Sequence, residues 1–360
     1  MKTGIILGTR PEIIKMSPLI RAFEKRHDDY FILHTGQHYS YTLDKIFFKE
    51  LELPLPKQNL DVGSGSHAEE TGRMLAGIEQ VLQKESPDVV LVEGDTNTVL
   101  AGGLAASKMH IKVGHVEAGL RSNDRSMPEE INRILTDHIS DYLFAPTRSA
   151  QKNLLKEGFE NNTIYVTGNT IVDAVYQNLA IARKKTNIFD SLKISPKKYL
   201  LLTAHRQENV DDKKKLRNII NGVQTLSREH GVPVIYPVHP RTLKRLKEFR
   251  ISVPKELTIV DPLGFLEFLQ LESQAMLVVT DSGGVQEETC ILKVPCITLR
   301  ENTERPETLE VGSNMLVGTD LQRIVKGSRA MVRRKRSWKV PFGDGTAGKK
   351  IINILEKKLR

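Results

Sequence analysis

Cysteine is nearly absent from this 360-residue chain, and long apolar runs are absent altogether. Cys290 and Cys296 are its two thiols, too few for a disulfide framework or a four-cysteine zinc site. A reducing, cytoplasmic compartment is therefore expected. Apolar stretches such as residues 89–92 and 276–279 fall far short of the ~18 to 20 residues that a membrane-spanning helix requires. Met1-Lys2 leads straight into a strand-like run, so no signal-peptide pattern is expected at the start. There is no G-K-[ST] phosphate loop and no G-x-S-x-G elbow. NTPase and α/β-hydrolase chemistry lose their main support with them.

Charge of one sign is also scarcer than the total suggests. The formal net charge is +9, which taken alone points to a polyanionic partner. Residues 326–360, however, hold 12 Lys plus Arg against the two acids Asp344 and Glu356, while the other 325 residues carry 41 bases and 42 acids. The body is electrically neutral, and the basic tail reads as solvated helix faces. Neither nucleic acid nor a membrane is an expected partner.

What is present is a regular alternation. Short β-rich apolar runs at residues 3–7, 30–34, 89–92, 112–115, 142–144 and 164–166, then 199–203, 234–237, 257–260, 276–280, 294–298 and 315–317, alternate with segments of helical periodicity. Two such sets predict an α/β protein of two Rossmann-like, doubly wound parallel-sheet domains. The boundary is placed in the polar, Lys-rich stretch 183–198, giving domains 1–182 and 183–342, with a loop and terminal helix at 343–360.

In such folds ligands bind beyond the C-terminal ends of the strands, and those ends are polar here. They include Gly8-Thr9-Arg10, Glu93-Gly94-Asp95-Thr96, His115-Val116-Glu117, Thr203-Ala204-His205-Arg206 and Asp281-Ser282-Gly283-Gly284. Together they predict one cleft, with acids on the N-terminal side and anion-binding groups on the C-terminal side. Ser282, Gly283 and Gly284 precede a helix, whose open N–H groups suit a phosphate or diphosphate, and Glu288 in its second turn suits two ribose hydroxyls. A plain glycine turn with a serine cap would look similar. Arg10 and Arg305 can each present a fork to a phosphate or form a surface ion pair. Asp95, Glu117 and Glu129 make an acidic set suited to acid and base roles, although Glu129, after Pro128, also suits a helix dipole. His205 can donate to a phosphate or move a proton.

Two glycine patterns mislead. Gly343-Asp-Gly345-Thr-Ala-Gly348 has no strong strand before it and twelve residues after it, and Gly63-Ser-Gly65-Ser-His-Ala68 follows no buried strand. His115-Val116-Glu117 lacks the P-C-x-x-C of zinc deaminases. No metal and no cofactor is expected.

The segments Gly8-Thr-Arg-Pro-Glu-Ile-Ile-Lys15, Val92-Glu-Gly-Asp-Thr-Asn97, Gly114-His-Val-Glu-Ala-Gly-Leu-Arg121, Pro128-Glu-Glu-Ile-Asn-Arg133, Thr167-Gly-Asn169, His205-Arg-Gln-Glu-Asn209, Val238-His-Pro-Arg241, Thr280-Asp-Ser-Gly-Gly-Val-Gln-Glu-Glu288 and Thr303-Glu-Arg-Pro-Glu307 occur in this order. With them the chain resembles, over essentially its full length, the non-hydrolysing UDP-N-acetylglucosamine 2-epimerases. The resemblance implies a GT-B fold whose terminal helix crosses back to the first domain, a UDP-sugar substrate, and a homodimer. By position it implies that Ser282, Gly283, Gly284, Arg10, His205 and Arg305 hold the diphosphate, with Lys15 completing the basic rim. Glu288 would take the ribose, Leu263 and Phe268 would face uracil, and Asp95, Glu117 and Glu129 would surround the sugar.

The reaction so implied is epimerisation at C2 of UDP-N-acetylglucosamine to UDP-N-acetylmannosamine, through loss of UDP and its re-addition to a 2-acetamidoglucal. The chain departs from many bacterial members at Gln37-His38-Tyr39-Ser40-Tyr41, where those carry an Arg-Gln loop associated with an activating second UDP-sugar. Epimerases of related UDP-2-acetamido sugars share the same segments. A retaining GT-B glycosyltransferase and a non-enzymatic UDP-sugar or polyanion binder are the remaining alternatives.

Overall fold

The computed structural model describes residues 1–36 and 41–359. The chain divides into two compact units, Met1–Gln177 with Phe342–Arg360, and Asn178–Pro341.

The first unit is a seven-stranded parallel sheet in the order β3-β2-β1-β4-β5-β6-β7. The strands are β1 Thr3–Leu7, β2 Tyr30–His34, β3 Gln58–Asn59, β4 Val89–Glu93, β5 Lys112–Val116, β6 Tyr142–Ala145 and β7 Ile164–Val166. Ile5 is in register with Ile32 on one side and Leu91 on the other. Helices cover both faces of a parallel sheet, so its strands must be apolar on both sides. Ile5, Ile6 and Leu7 and all of Val89, Val90, Leu91 and Val92 are accordingly inaccessible to solvent, each such side chain contributing about 1.5–3 kcal/mol. The strand β3 was not expected. Its two residues are half-buried and polar, so they carry no apolar period to read. The Gly63 segment therefore does follow a strand, if a minimal one, and leads to the helix His67–Glu85, capped by Ser66.

The helix Arg10–Arg26 tolerates Pro18 in its interior. Proline removes the N–H that would bond the carbonyl of Ile14, and the Ser17 hydroxyl donates to that carbonyl instead, at 2.8 Å. The terminal helix Ala347–Lys358 packs on this element, with Gly348 against Pro18 and Leu19. Asp173 accepts the N–H groups of Ala347 (3.2 Å) and Gly348 (3.1 Å), which closes the helix start.

The second unit is a six-stranded parallel sheet in the order β10-β9-β8-β11-β12-β13. Its strands are β8 Leu200–Thr203, β9 Val234–Pro237, β10 Leu257–Val260, β11 Leu277–Thr280, β12 Cys296–Thr298 and β13 Asn314–Leu316. Each matches an expected run to within two residues. Cys290 and Cys296 are free and buried. In each unit the strand order reverses once near the middle, between β1 and β4 and between β8 and β11, so the loops after these strands are where a ligand is to be sought. Among the described residues no helix is long and apolar enough to cross a membrane.

Candidate active site

At the first unit's switch point, β1 ends in Gly8, where a Cβ would lie 2.1 Å from the Thr35 hydroxyl and 2.3 Å from that of Thr98. Only glycine fits. The chain then turns into the helix Arg10–Arg26, and Glu12 folds back beneath the turn, accepting hydrogen bonds from the Gly8 and Thr9 amides and the Thr96 hydroxyl. Burial pushes the Glu12 carboxyl up to about 7 against the pull of these donors. Arg10 is exposed, its guanidinium 5.7 Å from the centre of the Phe47 ring.

One turn further along the same helix, Lys15 reaches two carboxylates. Its Nζ lies 3.1 Å from Glu93 at the end of β4 and donates at 2.7 Å to Glu117 just after β5. Asn169 donates to the same Glu117 oxygen at 3.1 Å. Glu117 holds a left-handed backbone, φ 73°. A non-glycine residue there stores strain, and such positions concentrate where a side chain must be aimed. Burial drives the Glu93 carboxyl well above the ordinary carboxylate range, opposed by Lys15 and reinforced by the charges of Glu117 and Glu12.

Asp95 stands beside this cluster. Arg133 bridges it at 2.6 Å to Glu130 at 2.7 Å, and Asn132 donates to its carbonyl at 2.9 Å. The loop that carries it is held from below by His115, whose Nδ1 lies 2.6 Å from Asp137 and whose Nε2 lies 2.8 Å from the Gly94 carbonyl oxygen. Burial would raise Asp137, but His115 and Arg121 outweigh it and hold the carboxyl below its usual range. Glu129 is not brought into the cluster. It is exposed on the first turn of the helix Pro128–His138, while its neighbour Glu130 is buried and accepts the amides of Ser122 and Asn123, both at 2.9 Å.

In the second unit the equivalent ground is organised around Asp281, which follows β11 and is fully buried. It accepts the backbone amides of His205 and Arg206, both at 3.0 Å, and the Asn209 amide at 3.1 Å, with His205 Nδ1 3.3 Å away. This fixes the loop after β8 against the start of the helix Gly283–Leu292. No side chain caps that helix, so its first amides remain available. A Cβ on Gly284 would meet nothing within 4 Å, whereas one on Gly283 would meet Glu304 at 2.2 Å. Arg305 is brought to the same helix through Glu287 at 2.9 Å and donates to the Glu304 carbonyl at 3.1 Å. Glu288 is half-buried on it, and burial pushes its carboxyl up to about 7. Leu263 and Phe268 pack beside this region against the cluster of Val278, Val285 and Val294.

A family model described as UDP-N-acetylglucosamine 2-epimerase matches residues 21–356. The UDP-N-acetylglucosamine 2-epimerase of Methanocaldococcus jannaschii is 60% identical over 99% of both chains. The chain belongs to the UDP-N-acetylglucosamine 2-epimerase family. A crystal structure of the M. jannaschii epimerase in complex with UDP-GlcNAc and UDP superimposes with a TM-score of 0.85 over 99% of this chain and 100% of that one. The UDP-2,3-diacetamido-2,3-dideoxy-D-glucuronate 2-epimerase of Pseudomonas aeruginosa is 41% identical over 99% of this chain and 100% of its own.

For a member of this epimerase family, several residues gain weight that sequence reasoning did not give them. Glu12, Glu93, Asn169, Arg133 and Asp281 all lie inside the motifs that define the resemblance, but each is an ordinary polar residue until its burial is known. The one available signal was position, since Glu93 and Asp281 stand at the ends of β4 and β11, the corresponding strands of the two switch points. The loop 37–41, where the family pattern is departed from, lies outside the described residues apart from Tyr41, whose backbone opens the helix Tyr41–Glu50.

Proposed function

We propose that this protein reversibly epimerises C2 of UDP-N-acetylglucosamine, giving UDP-N-acetylmannosamine, in the cytoplasm and without a cofactor. The observation that carries the reading is the Lys15 bridge between Glu93 and Glu117 at the first unit's switch point, a buried acid and base apparatus in a chain whose second unit offers an uncapped helix start ringed by His205 and Arg305.

The chemistry explains the need for both. C2 of the sugar neighbours an acetal carbon, not a carbonyl, so its proton is too weakly acidic for simple removal and return. Elimination avoids this: the C1–O bond breaks with its electron pair going to UDP, a base takes the C2 proton, and the C1–C2 double bond of a 2-acetamidoglucal forms. UDP then adds back to C1 while an acid delivers a proton to the other face of C2. The base and acid are drawn from Asp95, Glu117 and Glu129. Lys15 and Asn169 hold the Glu117 side chain in place, and Arg133 does the same for Asp95. Ser282, Gly283, Gly284, Arg10, His205 and Arg305 take up the charge of the departing diphosphate, Glu288 the ribose, and Leu263 and Phe268 the uracil.

The P. aeruginosa relative favours a second reading in which the substrate is another UDP-2-acetamido sugar. Incubation with UDP-N-acetylglucosamine in deuterated water tests the first. Deuterium at C2 together with UDP-N-acetylmannosamine, with no nicotinamide added, is expected; unlabelled substrate and no epimer would refute it. A homodimer is also proposed. Met127, Ile131 and Leu135, four residues apart, place an exposed apolar stripe along the helix Pro128–His138, and sedimentation of the purified protein at the monomer mass would refute it.

A further inference from the structure

Beside Glu288 lies a carboxyl that the reaction does not use. Glu272, in the helix Phe265–Ser273, is wholly buried, and among the described residues no amide, hydroxyl or cation donates to either of its oxygens. The carboxyl that acts on it is that of Glu288, from the helix Gly283–Leu292 packed against its own. The other ionisable groups that feel Glu272 are the Cys296 thiol on β12 and the Tyr199 phenol just before β8. Glu288 also faces Glu287, which Arg305 holds.

Two carboxylates in contact away from water do not both ionise, because the desolvation of each and their mutual repulsion add. A carboxylic acid can instead donate to its neighbour. One O–H then satisfies Glu272 and leaves Glu288 a carboxylate, with lone pairs for further donors. We propose, on the reading of Glu288 as the ribose ligand, that Glu272 is a positioning residue for the nucleotide: it stays protonated and donates to Glu288, holding it ionised as a double acceptor for the ribose hydroxyls. The balance of forces agrees, since burial raises Glu288 to about 7 while the bond from Glu272 pulls it down, and burial and the charge of Glu288 keep Glu272 well above the carboxylate range. UDP affinity should therefore fall as pH drops through about 7, and fall again at alkaline pH as Glu272 loses its proton.

Calorimetric titration of the full chain with UDP from pH 6 to 9 tests this. Other titrating groups, including the terminal phosphate of UDP, are common to all variants and cancel in ratios. Glu272→Gln keeps a donor, so it should bind within about threefold of wild type at pH 7.5 and hold that affinity at the alkaline end. Glu272→Leu removes the donor, and should bind about tenfold more weakly at pH 7.5 yet recover by pH 9, where Glu288 ionises unaided. A Glu272→Leu variant with the wild-type pH profile, or one weakened equally at every pH, would overturn the inference. Glu288→Gln separates the two levels. If it binds UDP as tightly as wild type, the ribose assignment fails and takes this inference with it; if it binds weakly while Glu272→Leu is unaffected, the role of Glu272 alone is refuted.

Discussion

The switch points of the two sheets have the same topology and opposite chemistry. In the first unit the strand across the reversal ends in Glu93, whose partner is the cation of Lys15. In the second the corresponding strand leads into Asp281, whose partners are two backbone amides and the side-chain amide of Asn209. A carboxylate held by a lysine is balanced against its neighbours and can change protonation when one of them moves. A carboxylate held by two backbone amides and the Asn209 amide, with the His205 imidazole at 3.3 Å, is a structural pin with a fixed loop to carry. The doubly wound sheet thus supplies a place for function twice, and on the proposed function the residues at the strand ends would set one to move protons and the other to grip an anion.

The largest effect should come from the acidic side. Asp95→Asn is expected to slow C2 exchange by about 10²–10⁴-fold while leaving UDP affinity measurable by calorimetry, and exchange at the wild-type rate would remove Asp95 from the reaction. Next is the pin. Asp281→Asn puts an amide N–H against amide donors, and a loss of about 2–3 kcal/mol in denaturant unfolding is expected, together with weakened UDP binding. An unchanged midpoint would mean that the two strand ends are not as different as their partners suggest.

Glu12 offers a pH test of the first unit. Its folded-state value of about 7 lies above the ordinary 4.5, so the folded protein holds this proton more tightly than the unfolded chain. Stability contributed by the group is therefore greatest below about pH 4.5 and declines as pH rises toward 7. At roughly 1.4 kcal/mol per pH unit, the decline reaches about 2–3 kcal/mol. Glu12→Gln should flatten it, and wild-type and variant melting curves that stay parallel between pH 5 and 7 would contradict this. The smallest effect contrasts two glycines. Gly8→Ala drives a methyl into the Thr35 and Thr98 hydroxyls and should cost about 1–3 kcal/mol. Gly284→Ala enters open space and should change stability by less than about 0.5 kcal/mol, while on the proposed function it should weaken UDP binding by crowding the helix start.

The two regions also differ in how legible they were. Twelve of the strands could be read because buried parallel strands are written as continuous apolar runs, as at Val89, Val90, Leu91 and Val92. The exception, Gln58–Asn59, is held by backbone pairing with β2 alone. Strand-end polarity pointed to Asp95, Glu117, His205 and the Ser282 turn, whereas the long-range partnerships did not show. Nothing in the spacing of Lys15, Glu93 and Glu117 announces that one ammonium would sit between the two carboxylates, and nothing in the run Phe265–Ser273 marks Glu272 as buried. The basic tail changes meaning in the same way. Arg329 pairs with Glu229, Arg336 donates to the carbonyls of Ala275 and Met276, and Arg334 reaches Val311, so part of the excess charge fastens residues 329–336 to the second unit.

The central claim is that UDP leaves C1 during the reaction. UDP-N-acetylglucosamine carrying ¹⁸O in the bridge between C1 and the β-phosphorus tests it directly. Departure makes that oxygen equivalent to the others of the terminal phosphate, so recovered substrate should show the label scrambled into non-bridging positions at a rate comparable to epimerisation. Epimer formed while every label stays in the bridge would contradict the account.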